Sequence, residues 1–284
     1  MDPLIHMEGV TKKYGSHVAL QDATLDIPAG KIVGLVGPNG AGKTTLMRAL
    51  TGLISYRGDI SVLGMEPMEN RHTLMERTGV IHDVSVLPPW MKVSQILDFQ
   101  AQVHPRFSKS RCEKLLAETS VTENRKIKQL SKGMKTQLHL SLMLATDSDV
   151  LILDEPTHGL DILFRKQFYN SVLEDYFDGQ KSIIVSTHQI EEVEHILSDV
   201  IFIKQGKILM YDEIDNLHKR FVQVTVSDQN LEQARQKNPL QETSLIGKKV
   251  LLYKDVSRKE VEHLGEVKTP SLADIFVVLM GGEA

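Results

Sequence analysis

Gly37-Pro38-Asn39-Gly40-Ala41-Gly42-Lys43-Thr44 is the stretch on which the fold turns. It meets the pattern G-x-x-x-x-G-K-[ST] at every fixed position. An apolar, β-branched run, Lys31 to Val36, precedes it, and Thr44, Thr45, Leu46 and Met47 read as the opening of a helix. Strand, glycine-rich turn and helix N-terminus in that order make a phosphate cradle. The glycines let the backbone curl so that successive N–H groups face inward at the positive end of the helix dipole. Lys43 supplies a mobile cation for the β and γ phosphates, and the Thr44 hydroxyl can ligate Mg²⁺. The expected phosphate contacts are therefore Gly37, Pro38, Asn39, Gly40, Ala41, Gly42, Lys43, Thr44 and Thr45.

Further along the chain, Val150 to Leu153, Ser182 to Val185 and Val200 to Ile203 are short apolar runs separated by helical patterns. That alternation predicts an α/β fold with a largely parallel sheet covered on both faces. The first of these runs, Val150 to Leu153, leads into Asp154-Glu155-Pro156, which puts two carboxylates at its carboxyl end. In open α/β sheets the ligand lies beyond those strand ends. Asp154 is expected to hold the Mg²⁺ shell, and Glu155 to take a proton from the attacking water.

Between about Val84 and Lys135 the pattern changes to helices and loops, broken at its start by Pro88 and Pro89, which predicts a helical insertion. After Tyr211 an alternating run, Phe221 to Val226, a second at Val250 to Tyr253, and a helix begun by Pro270-Ser271 predict a compact C-terminal lobe. At 284 residues there is room for one large domain and that appendage, and 41% apolar with 25% charged residues is the balance of a chain that buries a core. No apolar run reaches the ~18 residues of a membrane span. The N-terminal residues lack a basic cluster and an apolar h-region, so we expect a cytoplasmic protein. A net charge of −4 from 33 basic and 37 acidic residues gives no global basic field for nucleic acid. The single cysteine, Cys112, excludes an internal disulfide and reads as a partly buried thiol.

The chain closely resembles the ATP-binding subunits of ABC transporters over roughly residues 4 to 215, because further motifs follow in that family's order. Leu130-Ser131-Lys132-Gly133-Met134 is similar to the signature Leu-Ser-Gly-Gly-Gln, His158-Gly159-Leu160-Asp161 to the D-loop, and His188 to the switch histidine. Tyr14 sits where the family stacks an aromatic on adenine. The resemblance implies a P-loop ATPase domain over 1–215 with its helical subdomain at about 84–135, and an accessory lobe over 216–284. It implies ATP and Mg²⁺ as cofactors, catalysis by Glu155, His188 and Lys43, and metal contacts from Thr44 and Asp154. It further implies a head-to-tail dimer, homodimeric or with a paralogue, in which Ser131, Lys132, Gly133 and Met134 face the partner's ATP. A separate transmembrane permease, no nucleic acid, membrane contact only through the permease, and a place on the inner face of the membrane complete the expectation. The C-terminal lobe resembles that of multidrug, lipid and peptide exporters.

Two positions depart from the family. Lys132 and Met134 stand where glycine and glutamine are usual; Lys132 either strengthens ATP binding or is merely solvated. Aligned from Gly79, the Q-loop glutamine position is Asp83, which is either a metal contact or a solvated turn residue. Met65 to Pro67 and Val84 to Val93 are the expected edges of a permease groove, with Trp90 and Met91 either its apolar contact or packed loop residues. Rival readings are a soluble ABC ATPase acting on nucleic acid or ribosomes, and a nucleotide-binding regulator without turnover.

Overall fold

The computed structural model describes residues 3–81, 87–157, 160–245 and 247–281. The chain opens with β1 (Ile5–Tyr14) and β2 (His17–Ile27), then β3 (Ile32–Val36), α1 (Lys43–Leu50), β4 (Arg57–Val62), α2 (Arg71–Arg77) and β5 (Thr78–Ile81). Three helices follow, α3 (Val93–Val103), α4 (Lys109–Ala117) and α5 (Lys132–Leu144). The sheet resumes with β6 (Val150–Asp154), α6 (Ile162–Ser171), β7 (Ser182–Thr187), α7 (Ile190–Val193), β8 (Asp199–Lys204) and β9 (Lys207–Glu213). The last part holds α8 (Ile214–Arg220), β10 (Phe221–Val226), α9 (Leu231–Arg235), β11 (Gln241–Leu245), β12 (Lys248–Lys254), α10 (Arg258–Val261), β13 (Gly265–Lys268) and α11 (Leu272–Gly281).

The central sheet has six strands in the order β5-β6-β7-β3-β8-β9, parallel except where β9 turns back along β8. Successive side chains on a strand point to opposite faces, and both faces here are apolar. Ile32, Val36, Leu151, Leu153, Ile183, Val185, Val200 and Phe202 enter one core, shared with α5, α6 and α11. Val33, Leu35, Val150, Ile152, Ile184, Ile201 and Ile203 enter the other, shared with α1 and a three-stranded antiparallel sheet, β2-β1-β4. Burial on two faces is why these strands read as unbroken apolar runs.

The helices α3 and α4 and one face of α5 enclose a separate small core of Val93, Ile96, Leu97, Cys112, Leu116, Leu138 and Leu142. Helix α5 runs from the insertion to Leu144, and its opposite face, Leu140, Met143 and Leu144, joins the main core. One helix thus belongs to two cores. Burial in the helical core pushes the Cys112 thiol up to about 12, the state of an inert packing residue. Likewise α8 crosses residue 215, with Ile214 and Leu217 inside the main core.

Beyond α8, the order of elements β10-α9-β11-β12-α10-β13 folds into an antiparallel sheet ordered β11-β12-β10-β13. This is the split β-α-β arrangement of ferredoxin-like folds. Val222, Val224, Val226, Leu251 and Tyr253 form its own core with Ala234, Val261 and Leu264. Helix α11 then leaves the lobe: Ser271 and Asp274 cap it reciprocally, Leu272 and Ile275 are fully buried in the main core, and Phe276 stacks on Phe202 at 6.3 Å. Lys204 Nζ donates to the Met280 carbonyl at 3.0 Å, fixing the last turn where a cation suits the helix dipole.

Candidate active site

The loop between β3 and α1 wraps one end of a cleft of about 370 Å³ lined by Tyr14, His17, Ala19, Asn39, Gly40, Ala41, Gly42, Lys43, Thr44, Thr45, Asp154 and Glu155. Gly42 caps α1 at φ 110°, and a Cβ there would stand 2.6 Å from the Ala19 carbonyl, so both conformation and space demand glycine. At Gly37 a Cβ would meet the Ile203 carbonyl at 2.3 Å. The loop is therefore pressed against β2 and β8, and its shape is set before any ligand arrives.

Lys43 is nearly buried and its Nζ donates to the carbonyls of Gly37 at 2.7 Å and Pro38 at 3.3 Å. Burial pushes the ammonium down from the usual lysine range, while the charges of Glu155 and Asp154 pull it back up. A largely desolvated cation hydrogen-bonded to loop carbonyls is primed for a stronger anion.

Asp154 ends β6 and is almost fully buried. Its Oδ1 accepts from Ser186 Oγ at 2.6 Å, and among the described residues its Oδ2 has no hydrogen-bond partner although it is out of solvent. A buried carboxylate oxygen without a donor is costly unless something positive meets it. Oxygen donors from Asp154 and Thr44 on the wall of one cleft match the ligand chemistry of Mg²⁺, which prefers carboxylate and hydroxyl oxygens and keeps several waters. The residues present fit that ion.

Glu155 takes a left-handed φ of 46°, a strained state for a residue with a side chain. Its N–H is held by Ser186 Oγ at 3.0 Å, and its Oε1 lies 3.1 Å from His188 Nδ1. The ends of β6 and β7 thus bring the two residues together from separate loops. Ser186, fully buried in β7, is a site residue missed in the sequence; its hint was a hydroxyl pair, Ser186-Thr187, between the apolar Ile183 to Val185 and His188. His17 and Ala19 on the cleft wall carried no such hint.

Tyr14 ends β1, 46% exposed, with Lys12 Nζ 5.0 Å from its ring centre. Ser131 is the N-cap of α5 and accepts the Met134 N–H at 3.2 Å. Ser131 and Lys132 are exposed, and neither they nor Gly133 and Met134 line the cleft that holds Lys43. Asp83, with His82 and residues 84–86, lies outside the described residues, as do His158 and Gly159. Of the two loop residues, Trp90 is 71% exposed whereas Met91 packs on the helical core.

A family model described as "ABC transporter" matches residues 20–158. The lantibiotic transport ATP-binding protein SrtF of Streptococcus pyogenes is 34% identical over 77% of this chain and 96% of its own length. The chain belongs to the ABC transporter ATP-binding proteins. An uncharacterized ABC transporter ATP-binding protein of Methanocaldococcus jannaschii is 30% identical to this ABC subunit across 98% of the chain and 99% of its own length, so the likeness extends through the C-terminal lobe. The fold of the cassette is matched by a dimeric bacterial ABC transporter cassette at TM-score 0.64, 22% identical and covering 74% of this chain and 98% of that one. Among the described residues of this ABC subunit, no helix is long and apolar enough to cross a membrane.

Proposed function

We propose that this ABC subunit, seated on the inner face of the membrane, hydrolyses ATP in a head-to-tail dimer and thereby drives export through a separate transmembrane permease. The observation that carries the hydrolytic reading is the buried Asp154 Oδ2 beside the phosphate loop, without a hydrogen-bond partner among the described residues. In this reading the adenine stacks on Tyr14 and the loop residues Gly37 to Thr45 enclose the phosphates. Lys43 exchanges two carbonyls for the β and γ phosphates. Thr44 and Asp154 hold Mg²⁺, which when bound neutralises charge on the phosphate oxygens. Glu155 accepts a proton from the attacking water, and His188, whose Nδ1 lies 3.1 Å from Glu155 Oε1, lies at the γ-phosphate edge. Asp83 is assigned the Q-loop position.

The dimer is supported by the placement of the signature: Ser131 opens α5 at the surface and away from its own cleft, where free N–H groups suit a phosphate held by another subunit. The dimeric state of the cassette matched in fold agrees with it. Export is supported by the lantibiotic transport role in the name of SrtF and by the lobe after α8. We divide the chain into the ATPase unit through about residue 215 and the accessory lobe beyond it.

The test is Mg²⁺-dependent ATP hydrolysis measured against protein concentration, with light scattering alongside. Specific activity should rise as the dimer populates. Full activity from a species that scatters as a monomer would remove the shared-site reading.

A further inference from the structure

Glu155 and His188 belong to different loops, so their 3.1 Å separation depends on what holds those loops to each other. Ser186 fixes only the strand ends. Beyond them, the residue after His188 is held on both sides: the Gln189 N–H donates to Thr187 Oγ1 at 2.9 Å, and the Gln189 side-chain oxygen accepts from Arg165 Nη1. The same Nη1 meets Glu192 Oε1 at 2.5 Å, and Arg165 Nε donates to the Leu160 carbonyl at 2.9 Å. Leu160 lies just before α6, on the Glu155 side, and its N–H is bonded to the Thr157 carbonyl at 3.1 Å. One guanidinium on α6, 18% exposed, therefore bridges the loop of Glu155 and the loop of His188.

We propose that Arg165 is a positioning residue for hydrolysis: it sets the distance between Glu155 and His188 by fastening Leu160 to Gln189. The inference rests on reading those two residues as the hydrolytic pair. The guanidinium suits the task because its donors form a rigid planar fork, so displacement of one acceptor is passed to the other; lysine offers a point charge on a flexible stem. Its acceptors are a carbonyl, an amide oxygen and a carboxylate, and none touches the phosphate cleft. Arg165 thus acts on the rate through the orientation of His188 and leaves nucleotide binding alone. Misplacement of a reacting group by about 1 Å costs on the order of 10²-fold, which sets the expected scale.

In the intact protein, Arg165→Ala should lower kcat on the order of 10- to 100-fold while the Kd for ATP stays within about twofold. Arg165→Lys should recover little. Gln189→Leu, which removes the same link from the other side, should slow hydrolysis by itself and add nothing in the Arg165→Ala background. If Arg165→Ala does not fold, Gln189→Leu decides alone. An unchanged kcat in Arg165→Ala, a parallel loss of ATP affinity, or full additivity with Gln189→Leu would overturn the assignment. Undiminished hydrolysis by His188→Ala would instead show that the reading of the pair had failed, whatever Arg165 does.

Discussion

Ser186 Oγ donates to Asp154 Oδ1 at 2.6 Å, in a place where neither side chain reaches solvent. The same oxygen accepts the Glu155 N–H, so one hydroxyl on β7 orients both carboxylate residues at the end of β6. Ser186→Ala removes the donor and leaves two buried groups unsatisfied, a cost of about 1–3 kcal/mol each. Asp154 then loses the hydrogen bond that fixes its carboxylate. The expected result is a lower melting temperature and a Mg²⁺ titration of ATPase activity shifted to higher concentration. Superimposable titrations for variant and parent would show that Ser186 does not orient the metal ligand.

Glu155→Gln keeps the size of the side chain and removes its basicity. A positioned general base contributes roughly 10²–10⁴ in rate, so turnover should fall by that factor while ATP remains bound and the dimer accumulates. Near-normal turnover, measured by phosphate release, would contradict the role given to Glu155.

Lys43→Ala deletes the cation that lies folded onto Gly37 and Pro38. Calorimetry should show weakened ATP binding, and dimerisation driven by nucleotide should disappear. Because the ammonium is already desolvated, its loss costs the fold little, and the melting temperature without nucleotide should hold or rise. Unchanged affinity would refute the phosphate contact.

Acid stability gives a prediction away from the cleft. Asp149 lies 2.6 Å from Arg77 Nε and 2.8 Å from Arg106 Nη2, joining the start of β6 to α2 and to the helical insertion. Burial raises its carboxyl, but hydrogen bonds from Arg106 and Arg77 outweigh that and hold it below the usual range. A depressed folded value contributes stability that is present above the unfolded carboxylate pKa of about 3.9 and is lost as pH falls through the folded value. Asp149→Asn should therefore melt lower than the parent at pH 7, and the gap should narrow below about pH 4. A gap that stays constant with pH would mean that the charge of Asp149 is not what matters.

What was legible in the sequence was whatever depends on neighbours along the chain. Four apolar runs became β3, β6, β7 and β8 within a few residues, because strands buried on two faces show no polar interruption. The run Phe221–Val226 coincides with β10. The sheet β2-β1-β4 escaped notice because it carries Glu8, Asp22, Asp26 and Asp59 to solvent, which dilutes the apolar signal. The ferredoxin-like order of the lobe is set by long-range pairing of β10 with β12 and β13, which no local pattern encodes. The same division holds in the site: the phosphate loop and Asp154-Glu155 are local motifs, whereas Ser186 and Arg165 have meaning only once β6, β7 and α6 are side by side.

Helix α11 returns to the ATPase core after the whole accessory lobe has been made, and it seats Leu272, Ile275 and Phe276 against the strand next to β3. Translation therefore delivers the nucleotide-binding motifs long before the last piece of their own core. Until α11 emerges, the apolar face around Phe202 and Val200 stays open to water and to other nascent chains. The order of synthesis delays completion of the ATPase core until the lobe is in place, so a shortened polypeptide would meet chaperones and proteases before it met a permease.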